Sequence, residues 1–234
     1  ALNYATCDSL YCSVDQSDSE TFAHMVKYNE RNGSGIVVPQ NGDSFILGDA
    51  TVTFLRTRET FSDSNNGSLV TRIDCGGVSF LFPGDAENPA EQALLSDGAN
   101  VSATVLHVGH HGSLTSTSAA FLAAVAPRCA VVSVGANDYG HPSERVMERI
   151  RDFGVAIYRT DQVGDIAFEL RDGSLAVTTT KTTTEAPTAP GKPKSASGVA
   201  DSATEPGSAA SGTASGGVST SENAADGDSG DTSD

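Results

Sequence analysis

The chain contains no tryptophan, and its four cysteines form no Cys-x-x-Cys pair, so nothing in it outlines a structural zinc ribbon. Basic residues are scarce: 14 Lys and Arg stand against 30 Asp and Glu, for a net charge of -16. No basic stripe remains to grip a nucleic-acid backbone by charge alone, and a bound divalent ion would offset only part of the repulsion. No run of 18 apolar residues occurs, so no membrane-spanning helix is expected. The opening Ala1-Leu2-Asn3-Tyr4 has neither the basic start nor the apolar stretch of a signal peptide. Two readings stand: a cytoplasmic chain, or a mature or truncated piece. Cys75 and Cys129 lie in or beside apolar runs and read as buried small hydrophobes, whereas Cys7 and Cys12 are spaced for a local disulfide if the chain is extracellular.

By the usual ~100–200 residues per domain, the stretch up to about Thr180 reads as one globular domain. From Lys181 onward the chain is Thr, Ser, Ala, Gly, Pro and acid, with Val199 and Val218 its only large aliphatics. Such a segment buries too little apolar area to offset chain entropy, so residues 181–234 are read as a disordered tail, either a plain spacer or a cell-surface stalk. That tail carries eight acids against three lysines, which leaves 22 acids against 11 bases in residues 1–180. The acidity therefore belongs to the domain as well.

Ser17-Asp18-Ser19-Glu20 has the spacing of a capping box, and Phe22, Met25 and Val26 follow at helical intervals up to Asn32-Gly33. Short strands are expected over 36–38, 44–47 and 51–55, then a hairpin of 68–74 with 78–82 across Cys75-Gly76-Gly77. After Asp85 the period changes. Helices are expected over 89–95 and 118–125, strands over 104–108 and 129–134, and His141-Pro142-Ser143 opens a helix with Val146, Ile150 and Phe153 on one face. Strands over 155–158, 165–170 and 174–179 complete the pattern. A meander followed by strand–helix alternation predicts an α/β sandwich with helices outside two packed sheets.

Three strand ends carry candidate ligands: Gly84-Asp85, Gly109-His110-His111-Gly112-Ser113 and Gly140-His141-Pro142. Such ends can converge on one ion. Asp85 by itself also suits a turn. His110-His111 has little packing purpose, because glycines on both sides let the backbone turn and imidazole is the commonest metal ligand. Adjacent residues leaving a strand point in different directions, so one can bind metal while the other faces substrate. Ser113 offers a hydroxyl on the same loop, and His141 offers a third imidazole or serves only to start a helix. Asn66 lies in the turn Asn65-Asn66-Gly67-Ser68, with an amide at the site rim as its second reading. His107 reads as a core histidine, His24 as solvent-facing or packed, and Glu87 and Glu91 as first-turn acids that favour the helix dipole.

Asn65-Asn66-x-Ser68-Leu69-Val70, Ser79 through Glu87, Val108 through Ser113, Ser133-Val134-Gly135, Gly140-His141-Pro142 and Tyr158-Arg159-Thr160-Asp161-x-x-Gly164 resemble the metallo-β-lactamase-fold domain of the competence-protein ComEC group and its free-standing hydrolase relatives. The resemblance runs from about Cys7 to Thr178. It implies an αββα sandwich holding one or two divalent ions, zinc or manganese, with a metal-activated water attacking a phosphodiester or similar bond. It matches Asp85 to a carboxylate bridging two metals and His111 to a metal imidazole. His110 and His141 then bind the phosphoryl oxygen or assist the leaving group, and Asn66 falls near a position where other members carry histidine.

One departure stands out. The superfamily's principal ligand string, His-x-His-x-Asp-His, occurs nowhere in the chain. The expectation is an N-terminally incomplete sandwich or a relative with a degenerate site. Three functions follow: a phosphodiesterase or nuclease-type hydrolase acting on DNA or a cell-envelope component, a thioester or lactam hydrolase on the same scaffold, or a non-catalytic surface-binding module. ComEC members place this domain outside the cytoplasmic membrane, so the resemblance implies a secreted or cell-surface location, with a cytoplasmic one as the alternative.

Overall fold

A computed structural model describes residues 7–31, 35–171 and 174–182. The chain divides into Ala1–Ser195 and Ala196–Asp234, and every described residue lies in the first unit. The tail read from residue 181 onward lies outside the described residues apart from Lys181 and Thr182.

The elements run β1 (Leu10–Tyr11), α1 (Glu20–Arg31), β2 (Ile36–Val37), β3 (Ser44–Leu47), β4 (Ala50–Leu55), β5 (Val70–Cys75), β6 (Val78–Phe82), α2 (Asn88–Ser96) and β7 (Val105–His107). After a 3₁₀ turn at Gly109–Gly112 come α3 (Ala119–Val125), β8 (Cys129–Val132), α4 (Glu144–Asp152), β9 (Ala156–Arg159), α5 (Thr160–Val163), β10 (Ile166–Arg171) and β11 (Ser174–Thr179). Strands β3 to β9 form one seven-stranded sheet in chain order. The first four run antiparallel as a meander, and β6 to β9 run parallel because a helix intervenes at each crossover.

Alternation along the strands sorts side chains to two faces. Leu81, Leu106, Ala130 and Val132 face α2, α3 and α4, packing on Leu94, Phe121, Leu122, Val146, Met147 and Ile150. Their neighbours Phe80, Val105, Cys129 and Val131 face the β10–β11 hairpin through Ile166, Phe168 and Leu175. Covered on both faces, β8 is buried at all four positions. The layers are therefore helices, a large mixed sheet and a second, two-stranded sheet, the α/β layering expected of the sandwich. Cys129 is buried as expected, and burial pushes its thiol pKa up to about 11, whereas Cys75 is only half-buried.

Some details differ from expectation. The cap of α1 is Ser19, whose hydroxyl accepts the Phe22 N–H at 3.4 Å, so Glu20 opens the helix and the Ser17 box is not used. Pro142 precedes the cap residue Ser143 of α4 and does not lie in its first turn. The β5–β6 turn is Gly76-Gly77, at φ 54° and 81°, while Cys75 stays in the strand opposite Val78. The strand at 129–134 ends at Val132 because the Val134 N–H donates to Thr160 Oγ1 at 2.8 Å. The short elements β1 and α5 carry no periodic signal and were not expected.

Glu91 is the main correction. It is fully buried, and its two oxygens accept the backbone N–H groups of Thr117 and Ser118, joining α2 to the start of α3. Burial holds its carboxyl above the usual carboxylate range despite those donors and nearby Arg149. Glu91→Ala leaves two buried donors unpaired and is expected to lower unfolding stability by about 2–4 kcal/mol. Because the native state binds the Glu91 proton more tightly, this group's contribution falls as pH rises from about 4.5 through its folded pKa. Urea midpoints of wild type and Glu91→Gln across that window check the sign, since the Gln variant lacks the slope.

Candidate functional site

Parallel pairing sets the frame of the site. Leu81 lies opposite Leu106, Leu106 opposite Ala130, and Ala130 opposite Ile157, so β6 to β9 end nearly level. The loops that leave them carry Asp85, His110-His111, Ser133 and Thr160. Crevices at the carboxyl ends of parallel strands are where open α/β sheets place their chemistry.

Asp85 follows a glycine that the local packing requires. Gly84 has φ +64°, and a Cβ there would meet Ser68 Oγ at 3.0 Å. That hydroxyl accepts the Asp85 N–H at 3.0 Å, while the Gly84 carbonyl accepts the His110 N–H at 3.0 Å. The two ligand loops are thus fastened to each other through the backbone.

His110 and His111 both occupy the left-handed region, at φ 47° and 55°. Non-glycine residues held there cost on the order of 1–3 kcal/mol each. The result is that both rings stay on one side, with centroids 6.4 Å apart, instead of diverging as neighbours in a strand would. Gly112, at φ +81°, closes the turn: a Cβ there would lie 2.7 Å from Pro142 Cβ, and its carbonyl accepts the Ser143 N–H at 2.8 Å. These contacts bring His141 to the site, 5.4 Å from His110 between ring centroids.

The two adjacent imidazoles have different partners. His111 Nδ1–H donates to the Ser133 carbonyl at 2.7 Å. A carbonyl only accepts, so the proton sits on Nδ1, and Nε2 is left with a lone pair 3.8 Å from Asp85 Oδ1. Both side chains are open, at 51% and 45% exposure. His110 Nδ1 instead faces Glu87 Oε1 at 3.2 Å, and that oxygen also accepts the Thr115 hydroxyl at 2.8 Å. Glu87, read from sequence as a helix-dipole acid, therefore orients a site histidine. The long-range juxtaposition that gives it this role leaves no local signal.

Burial, then His110 and His111, hold the His141 pKa below the ordinary histidine value, with Asp85 opposing. Neutral imidazole is favoured there. His107 lies beside the site, stacked on Phe82 and 2.9 Å from Ser133 Oγ, with its pKa also lowered mainly by burial. His24 is exposed on α1.

Asn66 and Ser113 are nearly buried, at 9% and 6% exposure, and both have structural partners. The Asn66 amide donates to Asp63 at 3.1 Å and accepts the Glu87 and Ala90 N–H groups at 3.2 Å, holding the start of α2. Ser113 Oγ pairs with Thr115 Oγ1 at 3.0 Å and so buttresses the Glu87–His110 contact. Thr160 Oγ1 donates to the Val134 carbonyl at 2.7 Å, pinning the backbone beside Ser133.

A carboxylate oxygen and an oriented imidazole nitrogen fit a divalent cation. Among the described residues no group of three His, Cys, Asp or Glu side chains is arranged for one ion. The described site thus supplies two donors, one fewer than a catalytic zinc usually takes.

An α/β sandwich bearing Asp and His-His at its parallel strand ends fits the metallo-β-lactamase class. Residues 10–136 match the metallo-beta-lactamase superfamily, and the chain belongs to it. The chain is 43% identical over 125 residues to competence protein ComA of Neisseria gonorrhoeae, covering 52% of this chain and 18% of that protein. To ComE operon protein 3 of Bacillus subtilis it is 37% identical over 112 residues, covering 47% and 14%. To recombination protein 2 of Haemophilus influenzae it is 39% identical over 103 residues, covering 44% and 13%. The chain thus spans less than a fifth of the length of these relatives. Superfamily members usually bind divalent metals.

Titration calorimetry with Mn²⁺ or Zn²⁺ is expected to show a weak site that disappears in Asp85→Ala and in His111→Ala. Binding unchanged in both variants would remove this pair from the ligand set.

Proposed function

We propose that this chain carries part of the active site of a metal-dependent hydrolase of the phosphodiesterase or nuclease type. The observation that carries the reading is the Asp85–His111 pair, with His111 Nε2 freed for a ligand by the Ser133 carbonyl. A divalent ion, zinc or manganese, contributes Lewis acidity and a water of lowered pKa when bound. Asp85 and His111 hold it. His110, whose Nδ1–H is held by Glu87, donates from Nε2 to a phosphoryl oxygen in its imidazolium form and so offsets the charge that develops there. His141, neutral at rest, contacts the same group as a hydrogen-bond partner. Asn66 and Ser113 hold the framework in this reading and do not touch substrate.

The names of the relatives, a competence protein, a ComE operon protein and a recombination protein, favour DNA over a cell-envelope phosphodiester as substrate. A secreted or cell-surface location is part of the same proposal. No described helix is long and apolar enough to cross a membrane. The second reading, a binding module without turnover, is favoured by the two-donor ligand set among the described residues.

Hydrolysis of bis-p-nitrophenyl phosphate in Mn²⁺ separates the two readings, with thioester and lactam substrates alongside. Slow, metal-stimulated phosphodiester turnover is expected, lost in Asp85→Ala and reduced roughly 10²-fold or more in His110→Ala. A folded wild-type chain without metal-stimulated turnover of any of these substrates would overturn the hydrolase reading.

A further inference from the structure

One face of the site is not used by the chemistry above. Between the ends of β8 and α4, residues 135–141 form a loop that the Asn137 side chain fixes from inside. Its Oδ1 accepts the N–H groups of Tyr139 and His141, both at 3.1 Å. Its Nδ2 donates to the carbonyls of Gly135 at 2.9 Å and His141 at 2.8 Å. An amide bonded at both ends leaves the loop little freedom. Yet the residue it presents, Tyr139, is 84% exposed, the most exposed of the large apolar side chains among the described residues. Its ring stacks on His141 with centroids 5.9 Å apart and planes 24° apart. Beside it lies an open hollow of about 330 Å³ bordered by His111, Ser133, Asn137, Tyr139 and His141.

A rigid aromatic standing in water beside a phosphoryl-binding imidazole has a plain use: it offers a flat apolar face at little cost in side-chain entropy. We infer that Tyr139 and the adjoining hollow form a nucleobase-stacking subsite that receives an unstacked base of single-stranded DNA next to the phosphate at His110 and His141. The hollow is at the small end of the roughly 300–1,000 Å³ typical of small-molecule sites, which suits one base. Duplex DNA keeps its base faces stacked and withholds them; a single strand does not. Asp85 at the site and exposed Asp138 beside Tyr139 repel a phosphate backbone, so attraction by charge is weak and stacking carries the orientation. Any base has a π face, so the subsite selects single strands without selecting sequence.

This inference rests on the phosphodiester reading, and its test separates the two. Fluorescence anisotropy at low salt compares a labelled oligothymidylate with an abasic strand of equal length, using the full chain. Wild type is expected to bind the base-bearing strand roughly tenfold tighter, within the range seen for single base–aromatic stacks. Tyr139→Phe keeps that ratio, and Tyr139→Ala abolishes it with an unchanged circular-dichroism melt, since the side chain is exposed. Equal affinity of wild type for the two strands, or an undiminished ratio in Tyr139→Ala, overturns the subsite while binding of the abasic strand leaves the phosphodiester reading standing. Binding of neither strand overturns the subsite, and Mn²⁺-stimulated turnover of bis-p-nitrophenyl phosphate then decides the phosphodiester reading on its own.

Discussion

The hydrogen bond from the His111 ring to the Ser133 carbonyl depends on the parallel register of β7 against β8, and most of the site's chemistry depends on that bond. It decides which nitrogen keeps the proton, which way the ring turns and where the lone pair points. A one-residue slip between these strands would exchange their buried faces, removing Leu106 and Ala130 from the helix-covered core. The apolar packing that gives the sheet its stability thus also fixes the tautomer of His111. The His110 N–H to Gly84 carbonyl bond repeats the device between β6 and β7.

Local strain is concentrated where these restraints meet. Two consecutive non-glycine residues in the left-handed region persist because the backbone is held at both ends of the turn: Gly84 accepts from His110, and Ser143 donates to the Gly112 carbonyl. Around the turn lies a polar shell of Glu87, Thr115, Ser113 and Asn66. Its members bond one another and the start of α2, so the ligand loops rest on a helix already anchored by buried Glu91.

Periodicity and punctuation made much of this legible in the sequence. Strand patterning located β4 to β6, a continuous apolar run located β8, glycine pairs located the hairpin turn, and the glycine-flanked histidines marked the strand end at which the structure gathers three of the five imidazoles. The superfamily match bears out the resemblance and the α/β fold. What stayed hidden is long-range or too short to be periodic. Glu87 and Glu91 look alike as acids opening a helix, and only tertiary packing sends one to His110 and the other to the N–H groups of α3. Ser19 and Ser17 are equally good caps by type, and the one nearer the helix start prevails. Tyr139 sits in a string read only for its histidine. Thr160 tethers β9 to β8 across 26 residues, a distance no local pattern spans.

In the proposed reading, the ends of β6, β7 and β8 converge on one cation-binding point at Asp85 and His111. Paramagnetic broadening of amide and imidazole NMR signals by substoichiometric Mn²⁺ tests it most directly. Asp85, His110, His111 and Ser133 are predicted to broaden first, followed by His141, with His24 on α1 unaffected. Broadening that spares these strand ends and falls on acidic residues elsewhere would contradict the account.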